Sequence, residues 1–370
     1  MMSTNGKLVL KYRTQLMGIA ALLIYVYHIW NPVLGKIPVI GQVELFIKNA
    51  GYGGVDLFFF LSGIGLNFAI DKGTVFHFYG RRLKHILIPF WVTGVAYAIV
   101  KNWTFGQLIA NITGYNFVTE SMYSYLWFVP AIAILYLCFP LYYWLFKKSR
   151  NKLFFTLFVL EVWWVVTMGL GGILRADLYG FTNRIPVFLL GVLYGYYCKE
   201  KCFELTLDHV ICMVSTLSLG IILLYMCVYS GFYILVPISG CCLPPLLIAI
   251  SGLPLLAFLF EQVSKMKYIR AAGKGVNKVL TFYGSISLEL YCVQELIGNP
   301  VNLSLTESSN RWVINGVLLI VITLASYIIH LVNKGFWHLI QRYRLSIFLE
   351  LYFSHSRSKR LKSRQRSLPL

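Results

Sequence analysis

The sequence predicts an all-α membrane protein with about ten transmembrane helices and both termini in the cytoplasm. The 370-residue chain is 58% hydrophobic and only 13% charged, and its mean hydropathy is +0.68. A soluble globule of this composition would expose large apolar patches, which soluble monomers avoid. Apolar runs near the length of a membrane-spanning helix recur along the chain, and most charges lie between them.

Hydropathy gives ten candidate spans, and the charges of their loops test the count. The spans lie near residues 14–33, 51–70, 83–101, 123–146, 153–172, 184–198, 208–230, 241–260, 281–301 and 313–333. Cytoplasmic loops carry an excess of Lys and Arg. With the N-terminus inside, 27 of the 33 Lys and Arg residues fall on the cytoplasmic side, and residues 102–122 form a polar outer loop. The net charge of +19 is therefore a topology signal, and we expect no nucleic-acid partner.

The chain divides into three regions. Residues 1–13 are the cytoplasmic N-terminus, and residues 14–335 form the transmembrane domain. The third region, 336–370, consists of an interfacial helix and a basic tail. We expect the helix over 335–353, starting at the last residue of the transmembrane domain, and a disordered tail at 354–370 suited to anionic lipid headgroups. The eight scattered cysteines indicate neither a disulfide framework nor a metal site.

Two ionisable side chains stand near the outer ends of the first two spans. His28 interrupts the apolar run at 16–30, and Asp56 interrupts the run at 51–65. Each costs about 2.5 to 3.5 kcal/mol to insert, so each needs a partner. Both lie roughly 6 to 8 Å below the outer boundary at 1.5 Å per residue, and we therefore expect them to contact each other. Alternatively, His28 hydrogen-bonds a neighbouring helix and Asp56 caps its own.

A His–Asp pair at this depth fits two kinds of chemistry. If Asp56 keeps one ring nitrogen protonated, His28 can take a proton from a hydroxyl group as a general base. The same residue types form proton relays in membrane carriers, so a glycan carrier or flippase is the alternative. A further intramembrane carboxylate, Glu161, is expected to face the bundle interior.

Five segments occur in order on this frame: GGVDLFFFLSGIGL at 53–66, FYGRRLKHILIPFW at 78–91, YLWFVPAIAILYLCFPL at 125–141, RIPVFLLGVLYG at 184–195 and SISLELYCVQE at 285–295. Together they resemble the acyltransferase-3 family of membrane O-acyltransferases. The resemblance implies a multi-pass protein of the bacterial plasma membrane. It also implies transfer of an acyl group, usually acetyl from the cosubstrate acetyl-CoA, to a hydroxyl of a surface or exported polysaccharide or a lipid-linked saccharide, with no permanently bound cofactor.

The chain departs from the family pattern at three positions. The Arg that the family carries before the first-span histidine is Met17 here, and the nearest arginine is Arg13. The family's Arg-x-x-Arg motif ends in His85, and its Tyr-x-x-His motif ends in Gln294. A scaffold that resembles an acyltransferase but has lost catalysis is therefore a third hypothesis.

A basic cluster lies at the cytoplasmic end of the third span. It consists of Arg81, Arg82, Lys84 and His85. Guanidinium groups match phosphate oxygens bidentately, so we expect this cluster to bind the phosphates of acyl-CoA. The alternative is an ordinary cluster of cytoplasmic charges.

The remaining candidates belong to the acceptor site or to the path of the acyl group. Trp127 and Arg184 lie at outer span ends, where a ring stacks on a sugar and a guanidinium binds hydroxyl or carboxylate groups. Trp127 is equally suited to an interfacial aromatic belt. Glu289, Tyr291 and Gln294 share one predicted helix and are expected to line the acceptor site or pore.

The charge partition predicts which engineered cysteines react with an impermeant thiol reagent in intact cells. In a background without the native cysteines, sites at Ile40, Asn116 and Leu305 should label from outside. Sites at Ser149 and Arg270 should label only after the membrane is opened. Labelling of either of these two in intact cells would overturn the predicted topology.

Overall fold

The computed structural model describes most of the chain: residues 4–5, 7–120, 124–169, 179–200, 204–231, 243–298 and 310–365. The described residues are almost entirely helical, which confirms the all-α class. They also include two strands of two residues each, β1 (Thr4–Asn5) and β2 (Glu204–Leu205), which pair antiparallel.

The helices of the described residues follow in chain order. They are α1 (Leu8–Lys11), α2 (Arg13–Ile29), α3 (Ile40–Ala50), α4 (Gly54–Ile70), α5 (Val75–Val100), α6 (Phe105–Ile112), α7 (Tyr115–Glu120), α8 (Phe128–Lys148), α9 (Lys152–Gly169), α10 (Tyr179–Thr182), α11 (Ile185–Glu200), α12 (Leu207–Ser230), α13 (Leu243–Lys265), α14 (Arg270–Ser285), α15 (Ser287–Val293) and α16 (Arg311–Gln365). A 3₁₀ turn at Gly51–Gly53 joins α3 to α4, and a π-helical turn at Gln294–Gly298 follows α15.

Seven helices of the described residues are long and apolar enough to cross a membrane. They are the continuous helix Ile40–Ile70, α5, α8, α9, α12, α13 and the Arg311–Ile340 part of α16. The other three predicted spans correspond to shorter elements: α2 with 17 residues, α11 with 16, and the pair α14 and α15, which is interrupted at Ile286. The count of ten and the orientation stay predictions.

Two predicted segments differ from the structure. The outer loop at 102–122 contains α6 and α7, and a capping box of Thr104 and Gln107 begins α6. The expected interfacial helix and the 354–365 part of the tail continue α16 without a break, so disorder was wrong there. No Gly or Pro occurs between Gly335 and Pro369 to end that helix.

Some predicted boundaries fall outside the described residues. These are residue 123, residues 170–172, 241–242 and 299–301 at the ends of predicted spans, and residues 366–370 of the tail. The engineered site at Leu305 falls there as well.

Helix α4 lies at the centre of the bundle and packs directly on α11. In the continuous helix Ile40–Ile70, which includes α4, 78% of the most apolar 18-residue window is buried, against 11% for the window in α9. A Cβ atom added at Gly63 would lie 2.3 Å from the Phe188 carbonyl oxygen, and one at Gly191 would lie 2.3 Å from the Phe60 carbonyl oxygen. Small residues on both helices therefore let the two backbones touch, as in other membrane bundles.

Helix α2 is held between two neighbours in the same way. On one face, added Cβ atoms at Gly18 and Gly284 would clash with the backbones of α14 and α2 respectively. On another face, Gly51 and Gly54 bring the start of α4 against the backbone of α2. These contacts fix α2 along its length and so position the side chains at its two ends.

Candidate active site

The polar cavities of the protein lie at the two ends of α2, where they are lined by its terminal side chains. Arg13 begins the helix and His28 lies in its last turn. At 1.5 Å per residue they are about 22 Å apart along the axis. Most of the helix between them is apolar, so polar chemistry is confined to its ends.

His28 contacts the π-helical turn that follows α15. Its Nδ1 lies 3.1 Å from Gln294 Nε2 and 3.4 Å from Glu295 Oε1. The side chain of His28 is 25% exposed, whereas Gln294 is fully buried. Within the described residues, the second ring nitrogen, Nε2, forms no hydrogen bond or ion pair.

The carboxylate of Glu295 favours one tautomer of His28. It lies 3.4 Å from Nδ1, an ion-pair distance, and a carboxylate only accepts hydrogen bonds, so its charge favours a proton on Nδ1 and a lone pair on Nε2 when the ring is neutral. The amide of Gln294 suits this tautomer once it is turned about its terminal bond, which exchanges its oxygen and nitrogen. The arrangement therefore matches that of a histidine base held by a carboxylate.

The predicted contact between His28 and Asp56 was wrong. Asp56 is 1% exposed, and its Oδ2 lies 3.6 Å from Nε of Arg184. Neither carboxylate oxygen forms a hydrogen bond within the described residues. The counter-charge of Asp56 is therefore Arg184, in the turn just before α11.

Helical periodicity explains why equal depth did not bring the two side chains together. Gly51 and Gly54 face α2, and Asp56 lies about 200° further around its helix than Gly54. Asp56 instead shares a helical face with Phe60 and Gly63, which pack against α11. Its carboxylate thus points toward the start of α11.

Arg184 links Asp56 to a cavity that also contains His28. Its guanidinium carbon lies 5.3 Å from the centre of the Trp127 ring, and its side chain is 11% exposed. We call this space of about 480 Å³ the Arg184 cavity. Its lining residues are Ile24, Tyr27, His28, Tyr52, Val55, Trp127, Gly180, Asn183, Arg184 and Tyr291.

A second cavity of about 560 Å³ shares His28, Trp127 and Tyr291 with the first. We call it the amide cavity, because Gln107, Asn111 and Asn116 of α6 and α7 line it. Its other lining residues are Tyr97, Trp103, Gly106, Ala110, Glu120, Ser124, Tyr125, Leu126 and Glu295. The predicted candidates His28, Trp127, Arg184 and Tyr291 are thus brought together around two adjoining cavities.

Glu289 is separated from this group. It is 5% exposed, and its Oε1 lies 3.0 Å from Nδ1 of His330 on α16. It lines neither of the two cavities. The exposed Glu161 on α9 does not face the bundle interior, so that prediction was wrong.

The predicted basic cluster lines a third cavity, of about 560 Å³, near the first residue of α2. We call it the basic cavity. It is lined by Leu10, Arg13, Gly65, Phe68, Ala69, Lys72, His77, Arg81, Arg82, Lys84 and His85. Seven of these eleven residues carry a basic side chain, and none is acidic. Such a cavity suits a ligand with several negative charges.

Comparison with known proteins identifies the family of the chain. A family model described as an acyltransferase domain, that of the acyltransferase-3 family, matches residues 15–331. The chain belongs to the acyltransferase-3 family. Together with its apolar helices, this membership makes it a membrane acyltransferase. No curated protein and no solved structure matches the chain.

Two site residues of this acyltransferase were not assigned from its sequence. Glu295 ends one of the segments that carry the family resemblance, yet only its contact with His28 gives it a place in the site. Arg13 donates from Nε to the Leu61 carbonyl oxygen at 3.1 Å, and its guanidinium lies over Gly65, where an added Cβ would be 2.7 Å from Nη2. Arg13 lies beside the basic cavity because α4 has no side chain at that point.

The geometry predicts strong energetic coupling between Asp56 and Arg184. In a double-mutant cycle of Asp56→Ala and Arg184→Gln, each single change leaves a buried charge without its partner, whereas the double change removes both. We expect a coupling free energy of about 1 kcal/mol or more, measured by thermal unfolding of the purified acyltransferase.

The matched control is the cycle of Asp56→Ala with His28→Ala. These effects should add to within about 0.5 kcal/mol, because the two side chains share no contact. Coupling to His28 that equals or exceeds coupling to Arg184 would contradict the pairing.

Proposed function

We propose that this acyltransferase moves an acyl group, most simply acetyl, from cytoplasmic acyl-CoA to a hydroxyl of a surface or exported polysaccharide in a bacterial plasma membrane. One observation carries the proposal: a cavity lined by seven basic residues and a carboxylate-held histidine lie at opposite ends of α2. The two halves of an acyl transfer across a membrane need these two kinds of site.

The donor end is the basic cavity. Coenzyme A carries several phosphate groups, and guanidinium forks bind phosphate oxygens bidentately. Arg81 donates to the Ala69 carbonyl oxygen at 2.7 Å, so its position is set by α4. Arg82 lies 5.8 Å from the ring centres of Phe78 and Tyr136, and it forms no ion pair with an acidic side chain of the described residues. These two arginines, with Arg13, supply the guanidinium groups that Met17 and His85 do not.

The orientation follows from the donor. Acyl-CoA is made in the cytoplasm, so the basic cavity faces inward and His28 lies toward the outer side. This places both termini inside, in agreement with the loop charges. The acyl group, carried on the flexible pantetheine arm, then has to reach the cavities around His28.

At the acceptor end, His28 acts as the general base. Its Nε2 takes the proton of the acceptor hydroxyl while that oxygen attacks the thioester carbonyl carbon. The carbon–sulfur bond breaks, the new ester forms, and the departing thiolate receives the proton as the thiol of coenzyme A. Glu295 keeps Nδ1 protonated and stabilises the imidazolium that exists between the two proton transfers. Gln294 occupies the place of the family's second histidine and orients the same ring.

This mechanism predicts graded losses of activity at His28 and its carboxylate. His28→Ala should abolish acyl transfer while acyl-CoA binding persists, because the donor is held at the other end of α2. Glu295→Gln should retain the shape but lose the charge, and should lower the rate by about 100-fold or more. The measurement is acyl-CoA consumption and ester formation by purified protein.

His209→Ala is the control, because His209 caps the exposed start of α12 far along the chain from either site. It should leave transfer unchanged. Well-folded His28→Ala protein that transfers acyl groups at the wild-type rate would refute the mechanism. Acyl groups left on the thioester while a glycan crosses the membrane would instead support the carrier hypothesis.

The donor site predicts a salt-sensitive loss of affinity in Arg82→Ala. Removing one guanidinium from the basic cavity should weaken acyl-CoA binding by about tenfold at low salt, because a charge-assisted hydrogen bond contributes about 1.5 to 3 kcal/mol. The loss should shrink as ionic strength rises. Calorimetric titration with acyl-CoA measures both effects.

Arg150→Ala is the matched control, since Arg150 follows α8 and does not line the basic cavity. Its acyl-CoA affinity should equal that of the wild type. Equal effects of the two substitutions would show that the basic cluster is only a topology signal.

A further inference from the structure

We infer that the amide cavity is the acceptor subsite, and that it selects a neutral or amino sugar over a uronic or other acidic sugar. This inference rests on the proposed function, because it identifies the class of acceptor that is held beside His28. Three features of the cavity carry it: an aromatic wall, uncommitted amide groups, and the signs of its charges.

The aromatic wall consists of Tyr97, Trp103 and Tyr125, with Trp127 nearby. Ring centres of Tyr97 and Tyr125 are 4.3 Å apart, and Trp103 lies 5.0 Å from Tyr97 and 5.8 Å from Tyr125. Rigid rings of this kind supply a large apolar surface with a polar edge. The C–H face of a pyranose ring can stack on such a surface.

The polar wall comes from α6 and α7, and the hydrogen bonds of the fold use only part of the capacity of its side chains. Gln107 accepts a hydrogen bond from the Thr104 backbone N–H through Oε1 at 2.8 Å, and its Nε2 donor is left for a ligand. Asn111 donates through Nδ2 to the Gln107 carbonyl oxygen at 2.9 Å, and its Oδ1 acceptor is left for a ligand. The side chains of Asn116 and Glu120 form no hydrogen bond within the described residues. Sugar hydroxyls both donate and accept, so they match this mixed set.

The charges of the lining disfavour an acidic ligand. Glu120 and Glu295 line the cavity, and no Lys or Arg of the described residues does so. Lys101 contacts the ring of Tyr97 at 5.8 Å without lining the cavity, and Arg184 lines the adjoining cavity, where it faces Asp56. A sugar carboxylate would enter without a counter-charge, which is unfavourable, whereas an ammonium group would gain one.

The catalytic histidine lies in the same lining. His28 and Tyr291 border both the amide cavity and the Arg184 cavity. A sugar stacked on the aromatic wall therefore brings its hydroxyls beside the imidazole. The adjoining Arg184 cavity, with Ile24 and Val55 in its lining, is left for the acyl group of the thioester.

A binding assay tests the inference on the purified, full-length protein. The probes are short oligosaccharides of hexose, hexosamine and hexuronate in glucose, galactose and mannose configurations, observed by saturation-transfer NMR. We expect binding from neutral or amino members of one configuration, and binding at least about tenfold weaker from the matched uronate. Trp103→Ala should weaken the binding of that sugar by about tenfold.

Two further variants sharpen the result. Trp164→Ala removes a half-exposed tryptophan of α9 outside the cavity and should leave sugar binding unchanged. Glu120→Lys should improve uronate binding relative to the neutral sugar. Binding of uronates as strong as that of neutral sugars, binding unaffected by Trp103→Ala, or no binding by any probe would overturn the inference.

Acyl-CoA binding and turnover, measured on the same samples, report separately on the proposed function. Protein that binds and consumes acyl-CoA but fails the sugar tests would refute the subsite alone. Protein that prefers neutral sugars, and loses that binding in Trp103→Ala, but neither binds nor consumes acyl-CoA would refute the proposed acyl transfer.

Discussion

The buried ion pair between Asp56 and Arg184 is the constraint on which the site depends. Asp56 is 1% exposed in an apolar helix bundle, where a carboxylate without a counter-charge would be strongly destabilising. Arg184 supplies that charge from the start of α11 and at the same time lies over the ring of Trp127. The pair therefore fixes the start of α11 against α4 and sets one wall of the cavity that contains His28.

Helix α2 holds the two parts of the site at a fixed separation, with the basic cavity at one end and the cavities around His28 at the other. Gly18 packs against α14, while Gly51 and Gly54 bring α4 against the opposite part of the helix, so α2 has little freedom to shift. Its first residue, Arg13, then lies at the basic cavity, and His28 lies at the two cavities of the other end. A thioester donor rich in phosphate and a hydroxyl acceptor require such a separation when they approach from opposite sides of a membrane.

The all-α class and the grouping of the basic side chains were accessible from the sequence, because hydropathy and clustered charges are local signals. The role of His28 stays a prediction. The partner of Asp56 was not obtained from depth alone, which ignores the direction of a side chain around the helix. The two-residue spacing between Gly54 and Asp56 fixes the angle between these residues around the helix. That angle gives the direction of the Asp56 side chain only when the helix that Gly54 packs against is known. Glu295 was missed because its contact with His28 joins distant parts of the chain. The helices within 102–122 had a local signal, the capping box, that hydropathy does not detect.

In the proposed mechanism, His28, held by the carboxylate of Glu295, performs acyl transfer to a glycan. The most direct test is the acyl-ester content of the host's surface polysaccharide, measured by NMR in cells that carry either the wild-type chain or His28→Ala. At equal amounts of protein in the membrane, the ester signal should disappear in His28→Ala while the polysaccharide itself is retained. An ester signal at the wild-type level would contradict this mechanism.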